Sequence, residues 1–259
     1  MHQINNSETV KKQYASAEKL GTRISIHAKY SVNRQGFGPW IFEQYELFPG
    51  CSILELGCGS GEMWAGQTLP QGARLTLTDF SAGMLEAAQK NLKDFNGVVF
   101  EQVDAQQIPY SDGAFDVVIA NMMLYHVPDM GAALKEIRRV LKPGGKFYCA
   151  TFGENGITEY LQGVFSDYAA LTEANRTFTL QNGGEILAAY FDTVEKRLYE
   201  DSLEVTESDD LIDYMFSLSS MGGLMDVPRG VARERLNARK VNGKIHVPKE
   251  YGLFVCVKA

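Results

Sequence analysis

The chain has no Cys-x-x-Cys pair. Its four cysteines stand apart at positions 51, 58, 149 and 256, which argues against both a zinc knuckle and a disulfide framework. The four histidines, at 2, 27, 126 and 246, show no ligand spacing such as His-Glu-x-x-His, so no metal is expected. No apolar run approaches the ~20 residues of a membrane span. The polar start Met1-His-Gln-Ile-Asn-Asn6 does not read as a signal peptide, and a soluble cytoplasmic protein is the expectation. Positive charge is also scarce: a net charge of -7 without a basic stripe argues against a nucleic-acid partner. Internal repeats and low-complexity tracts are absent.

What remains is a chain of 259 residues, 45% of them hydrophobic, enough for one sizeable α/β domain with an elaboration or for two small ones. Its charge is uneven. Seven basic residues face one acid, Glu234, between Arg229 and Lys249, and nine acids face Lys196 and Arg197 between Asp192 and Asp213. Solvated faces that partly pair with each other are the simpler reading, and a site for an anionic substrate is the alternative.

The densest signal is Ile53-Leu-Glu-Leu-Gly-Cys-Gly-Ser-Gly-Glu-Met-Trp64, an apolar strand running into glycines at 57, 59 and 61. Glycines there let the main chain turn sharply and approach a ligand where a Cβ would collide. A dinucleotide turn places a third glycine where this chain has Glu62, and a pyrophosphate would rest on the following helix N-terminus. No Lys of the triphosphate-loop pattern follows. Carboxylates at both ends of the turn, Glu55 and Glu62, would repel a pyrophosphate but suit an ammonium or a sulfonium, and S-adenosylmethionine carries both.

Further strands follow. Arg74-Leu-Thr-Leu-Thr78 ends in Asp79, placed to accept ribose hydroxyls; the alternative is an Asp capping the next helix, a task for which Ser81 is already available. Gly97 to Val103 ends in Asp104-Ala105, and Phe115 to Ala120 leads into Asn121-Met-Met-Leu-Tyr-His-Val-Pro-Asp129. Gly131 to Leu141 has the pattern of an amphipathic helix stopped by Lys142-Pro-Gly-Gly145, before a fifth strand at Gly145 to Phe152. Strand and helix in alternation predict a doubly wound α/β sheet with its ligand crevice at the C-terminal strand ends, where Glu55, Asp79, Asp104 and Asn121 all fall.

From roughly Tyr45 to Phe152 these segments resemble the class I S-adenosylmethionine-dependent methyltransferases, in the subgroup typified by small-molecule and quinone methyltransferases. The Glu55-to-Gly61 turn matches that family's acid-x-Gly-x-Gly-x-Gly pattern at every fixed position. The resemblance implies a seven-stranded, mostly parallel sheet whose last strand runs antiparallel between the fifth and sixth. It implies that Asp104, followed by the small Ala105, receives the adenine amino group, and that Asn121 and Met122 lie beneath the methionine part. Gly57, Gly59, Ser60, Gly61, Phe80, Met84 and Tyr30 complete the expected cofactor set. The implied chemistry is in-line displacement at the sulfonium methyl with S-adenosylhomocysteine as product. A general base is optional, and His126 and Tyr125 are the candidates; a histidine at a helix start, bonded to main chain, is the plainer alternative for His126.

The segment 1–45, preceding the domain at 46–259, is expected to fold as a helical lid carrying Tyr14, Tyr30 and Trp40, although Trp40 and Phe42 could equally pack against the sheet. Insertions near 154–183 and 220–247 are natural places for substrate selection. Helices are predicted at Ile157 to Leu171, Glu185 to Tyr190 and Ser208 to Ser219, with strands at Val194 to Val205 and Tyr251 to Val257. The chain lacks the two prolines of the motif that amino-methylating nucleic-acid enzymes carry after the fourth strand, so a small organic acceptor is favoured. A catalytically silent S-adenosylmethionine-binding protein and an NAD-dependent oxidoreductase are the competing readings. Nothing in the sequence fixes the oligomeric state.

Overall fold

The computed structural model describes residues 17–168, 176–218 and 222–259. In chain order these form α1 (Ala17–Tyr30), α2 (Phe37–Glu43), β1 (Ser52–Leu56), β2 (Arg74–Asp79), α3 (Ala82–Asn91), β3 (Val98–Gln102), β4 (Phe115–Ile119), α4 (Met130–Val140) and β5 (Leu141–Phe152). Then come α5 (Ile157–Val164), α6 (Gly183–Ala188), β6 (Thr193–Val205), α7 (Ser208–Ser217), α8 (Gly222–Met225), α9 (Arg229–Asn237) and β7 (Ile245–Val257). The strands make one seven-stranded sheet in the order β3-β2-β1-β4-β5-β7-β6. β1 to β5 pair in parallel. β7 runs antiparallel to β5: Gly144 N–H bonds to Lys258 at one end and Gly153 N–H to Glu250 at the other.

Contacts divide the chain into two compact units. The larger comprises Phe37–Phe152, Phe178–Leu198 and Gly252–Ala259 and holds most of the sheet. Its central strands β1 and β4 are buried on both faces, and β1 alternates between two cores. Leu54 and Leu56 pack with Ala133, Leu134, Ile137 and Val140 of α4, whereas Ile53 packs with Ile41, Trp64, Leu85 and Ala88 on the other side. α4 is well specified locally: the Asp129 carboxylate accepts from Ala132 N–H at 2.9 Å, capping the helix, and its apolar residues recur at helical spacing. Trp40, weighed above as a lid residue, and Phe42 both pack against the second core.

The smaller unit gathers Met1–Gly36, Gly153–Thr177 and Tyr199–Tyr251. Its core joins Ile26 of α1, Leu161 and Val164 of α5, and Leu211, Ile212 and Met215 of α7 to Leu203, Val205, Ile245 and Val247 of the two long strands. The acidic and basic stretches of the sequence meet inside this unit: Arg229 pairs with Asp213 at 2.7 Å, Arg233 with Asp209 at 2.8 Å, and Lys249 with Asp201. The first two pairs are exposed and contribute little. The third is buried, with side-chain exposures of 4% for Lys249 and 0% for Asp201.

Several elements differ from the sequence reading. No α-helix follows the glycine turn: between β1 and β2 there is only a 3-10 turn, Glu62–Trp64, because Gly66, Pro70 and Gly72 interrupt the segment. β5 starts at Leu141, with the Lys142-Pro-Gly-Gly145 stop absorbed as an irregularity in its pairing with β4. β7 starts at Ile245, six residues before Tyr251. The predicted helix from Ile157 ends at Val164, and part of its remaining span lies outside the described residues, as does Tyr14.

Candidate cofactor site

The site is built at the C-terminal ends of β1, β2, β3 and β4 in the larger unit. β1 leaves the sheet at Leu56, and Gly57, Gly59 and Gly61 all adopt positive φ, at 68°, 56° and 74°. Their surroundings differ. A Cβ on Gly57 would stand 3.0 Å from Met123 Cβ, and one on Gly61 would stand 2.8 Å from Leu92 Cδ1 of the segment ending α3, whereas one on Gly59 would meet nothing within 4 Å. Gly57 and Gly61 are therefore held by packing, and Gly59 presents bare main chain to open space.

Glu55 sits immediately beneath this loop, only 3% exposed. Its carboxylate accepts from Trp64 Nε1–H at 2.5 Å, and its carbonyl accepts from Thr78 Oγ1 at 2.7 Å. Burial raises its pKa from the usual carboxylate range to about 7; the Trp64 bond opposes that rise and the Asp79 charge adds to it. Asp79 ties β2 to the loop. One of its carboxylate oxygens accepts from Gly59 N–H at 3.0 Å and the other from Ser81 N–H at 2.8 Å, and burial raises its pKa. The Ser81 hydroxyl makes no capping bond, so the premise that Ser81 releases Asp79 from local duty does not hold. The Phe80 N–H also acts on this carboxylate, whose roughly four acceptor sites leave room for a further donor.

Asp104, at the end of β3, accepts from Gln106 N–H at 2.9 Å and from Gln106 Nε2 at 3.0 and 3.1 Å. Gln106 Oε1 in turn accepts from Asp129 N–H at 3.0 Å. Asn121, after β4, donates from Nδ2 to Tyr45 Oη at 2.6 Å. Its Oδ1 is buried and has no hydrogen-bond partner among the described residues. Met122 follows at φ 54°, a left-handed conformation uncommon for a side chain of this size, and its N–H bonds to Ala150 O at 2.9 Å. Phe80, next to Asp79, leaves 46% of its surface exposed. Ser60 O accepts from Asn91 Nδ2 at 3.0 Å, Met84 is half-buried on α3, and Ala105 belongs to the core.

The two residues considered for catalysis lie in the 3-10 turn Leu124–His126. The Tyr125 ring centroid is 4.4 Å from that of His126 and 4.7 Å from that of Phe152. Burial lowers the His126 pKa to about 4. The imidazole is therefore neutral at physiological pH and a weaker base than an exposed histidine. Tyr30 is placed in the smaller unit, where its hydroxyl donates to Asp210 at 2.6 Å. The remaining expected cofactor residues all belong to the larger unit.

Sequence reasoning missed Trp64, Tyr45 and Gln106. Trp64 ends the motif already quoted, and an indole N–H two turns of chain beyond a buried acid was a usable signal. Tyr45 and Gln106 carried none. Cys58, between two of the glycines, is buried, and burial with the nearby Glu55 and Asp79 carboxylates pushes its thiol pKa well up, so it is no nucleophile.

These residues fit a cofactor of mixed charge. The bare Gly59 face admits close approach, the unpartnered Asn121 Oδ1 and the Glu55 carboxylate suit an ammonium donor, and Asp79 suits a diol. A pyrophosphate finds no α-helix N-terminus at this loop.

One protein family, described as a methyltransferase domain, matches residues 54–149. A demethylmenaquinone methyltransferase of Lactobacillus johnsonii is 34% identical over 155 residues, covering 55% of this chain and 63% of that protein. The ubiquinone/menaquinone biosynthesis C-methyltransferase UbiE of Vibrio parahaemolyticus is 26% identical over 220 residues, covering 80% of this chain and 84% of its own length. The chain thus spans less than two thirds of the first relative. Among solved structures, the [4+2]-cyclase SpnF superposes with a TM-score of 0.58 at 20% identity, covering 98% of this chain and 97% of that one. That likeness shows the fold.

Proposed function

We propose that this chain, whose residues 54–149 match a methyltransferase domain, is a class I S-adenosylmethionine-dependent methyltransferase that transfers the sulfonium methyl of S-adenosylmethionine to a small organic acceptor and releases S-adenosylhomocysteine. The observation that carries the cofactor reading is the pairing of the open Gly59 face with Glu55, Asp79 and the unpartnered Asn121 Oδ1 around one loop. When bound, the cofactor supplies the activated methyl group. The chain's residues bind and orient. Glu55 and Asn121 take the ammonium, Asp79 the ribose, Asp104 the adenine amino group, and the exposed Phe80 ring one face of the base. For Asp104 to do so, the Gln106 carboxamide must share or yield its place on the carboxylate.

Phe80→Ala gives a direct check on this placement. An exposed aromatic that stacks on a base is worth roughly 1–3 kcal/mol. S-adenosylhomocysteine affinity should fall by about tenfold at unchanged thermal stability, read by calorimetry and a melting curve.

The acceptor is proposed to be a quinol-like aromatic, the class named for both curated relatives. Tyr125 and the neutral His126 are proposed to wall it, with His126 serving as hydrogen-bond partner more than as strong base. An S-adenosylhomocysteine-release assay with a panel of demethylated quinols, simple phenols and amines tests this: turnover confined to the quinols supports it, and turnover with amines alone contradicts it. The alternative reading is that the chain binds the cofactor without transferring its methyl group. Tight binding with no turnover across the panel would select that reading.

A further inference from the structure

Among the described residues, no cation partners the buried Glu55. The groups facing it are the Trp64 indole from the 3-10 turn, the neutral Cys58 thiol from the loop, the Asp79 carboxylate from β2 and the Tyr45 hydroxyl from the segment before β1; that hydroxyl accepts in turn from Asn121 Nδ2, just after β4. No lysine, arginine or histidine of the described residues is among the groups acting on it. A lone buried carboxylate with a second carboxylate nearby keeps a proton unless a positive charge arrives. One neutral donor, Trp64 Nε1–H, already points at the carboxylate and fixes its orientation. Trp64 is itself immobilised, fully buried with its ring 5.5 Å from Phe42 and 6.4 Å from Tyr45.

We propose that Trp64 is a positioning residue that holds Glu55 for a cationic ligand group, and that binding of this group expels the Glu55 proton to solvent. The inference rests on the cofactor reading above. The balance is simple: the protonated carboxyl loses H⁺ to buffer, and the ligand ammonium replaces it as the carboxylate's partner. The sign follows from the raised value. In the ligand-free fold Glu55 holds its proton up to about pH 7, against an ordinary value of 4.5. The ligand-free fold therefore loses stability as pH rises between those values, and the bound cation restores it. Affinity is full above about pH 7 and falls as pH drops below it.

The test is calorimetry of S-adenosylhomocysteine binding at pH 6, 7 and 8, each in two buffers of different ionisation enthalpy. 5′-Methylthioadenosine, which lacks the amino-acid part, serves as comparator. The expected result is an affinity rising about tenfold from pH 6 to pH 8 with about half a proton released at pH 7, and a flat profile for the comparator. Glu55→Gln should flatten the first profile as well. Trp64→Phe removes the N–H and keeps most of the ring, so the midpoint should move to higher pH; a merely structural role would lower affinity equally at every pH. Tight binding of both ligands with no proton release overturns the proton exchange and leaves the cofactor reading standing. Binding of neither ligand overturns both.

Discussion

Gly59→Ala is expected to weaken S-adenosylmethionine binding by about a hundredfold or more while leaving the protein folded. The two effects separate because of what surrounds this glycine. At φ 56° an alanine pays only the left-handed backbone cost, ~1–2 kcal/mol, since its Cβ meets nothing within 4 Å. The Gly59 N–H that bonds to Asp79 is retained. The added methyl group then stands where the cofactor must approach main chain. The neighbouring glycines cannot serve the same purpose, because a Cβ at Gly57 or Gly61 presses on Met123 or Leu92 and would disturb the loop itself. Asp79→Ala is equally ambiguous, for it removes the latch on Gly59 along with the ribose acceptor. Calorimetry beside a melting curve reads both quantities; unchanged affinity in a folded Gly59→Ala protein would mean that no ligand crosses this face.

The second large effect belongs to the smaller unit. Lys249→Ala should destabilise it by about 3–5 kcal/mol, because Asp201 would be left as a buried charge without its cation. Asp201 also accepts from Asn33 N–H at 2.9 Å and Ser202 N–H at 2.8 Å, and Lys249 Nζ donates to Ser31 Oγ at 2.9 Å. The pair therefore joins the end of α1 to both long strands. The Tyr199 and Tyr251 rings lie 5.9 and 5.5 Å from the ammonium. Replacing both partners together, Lys249→Met with Asp201→Leu, should cost much less than either single change. Urea denaturation of the three variants decides it, and a double variant as unstable as the sum of the singles would contradict the buried-pair argument.

The same lysine explains why β7 was half invisible in the sequence. Ile245, Val247, Lys249 and Tyr251 lie at alternate positions of the strand, and the first two are fully buried. Lys249 holds an inward position as a partnered cation, so the apolar alternation breaks there and the strand reads as starting only at Tyr251. The first five strands were legible because each carries a short apolar run between turn residues. The β1-to-β2 connection breaks the expected alternation of strand and helix, because Gly66, Pro70 and Gly72 do not permit a helix there.

Within the site, the loop glycines and the acids at strand ends were legible because their spacing is local in sequence. The Tyr45–Asn121 bond joins residues 76 positions apart, and nothing in either neighbourhood announces it. Burial weakens His126 as a base, and burial is a property of the folded chain that sequence position alone does not give.

The most direct test of the central claim is a calorimetric titration of desalted protein with S-adenosylmethionine and, separately, with NAD, with Gly59→Ala run alongside. Saturable binding of S-adenosylmethionine that is lost in the variant, with none of NAD, is the expected result. Binding of NAD alone would contradict the methyltransferase reading.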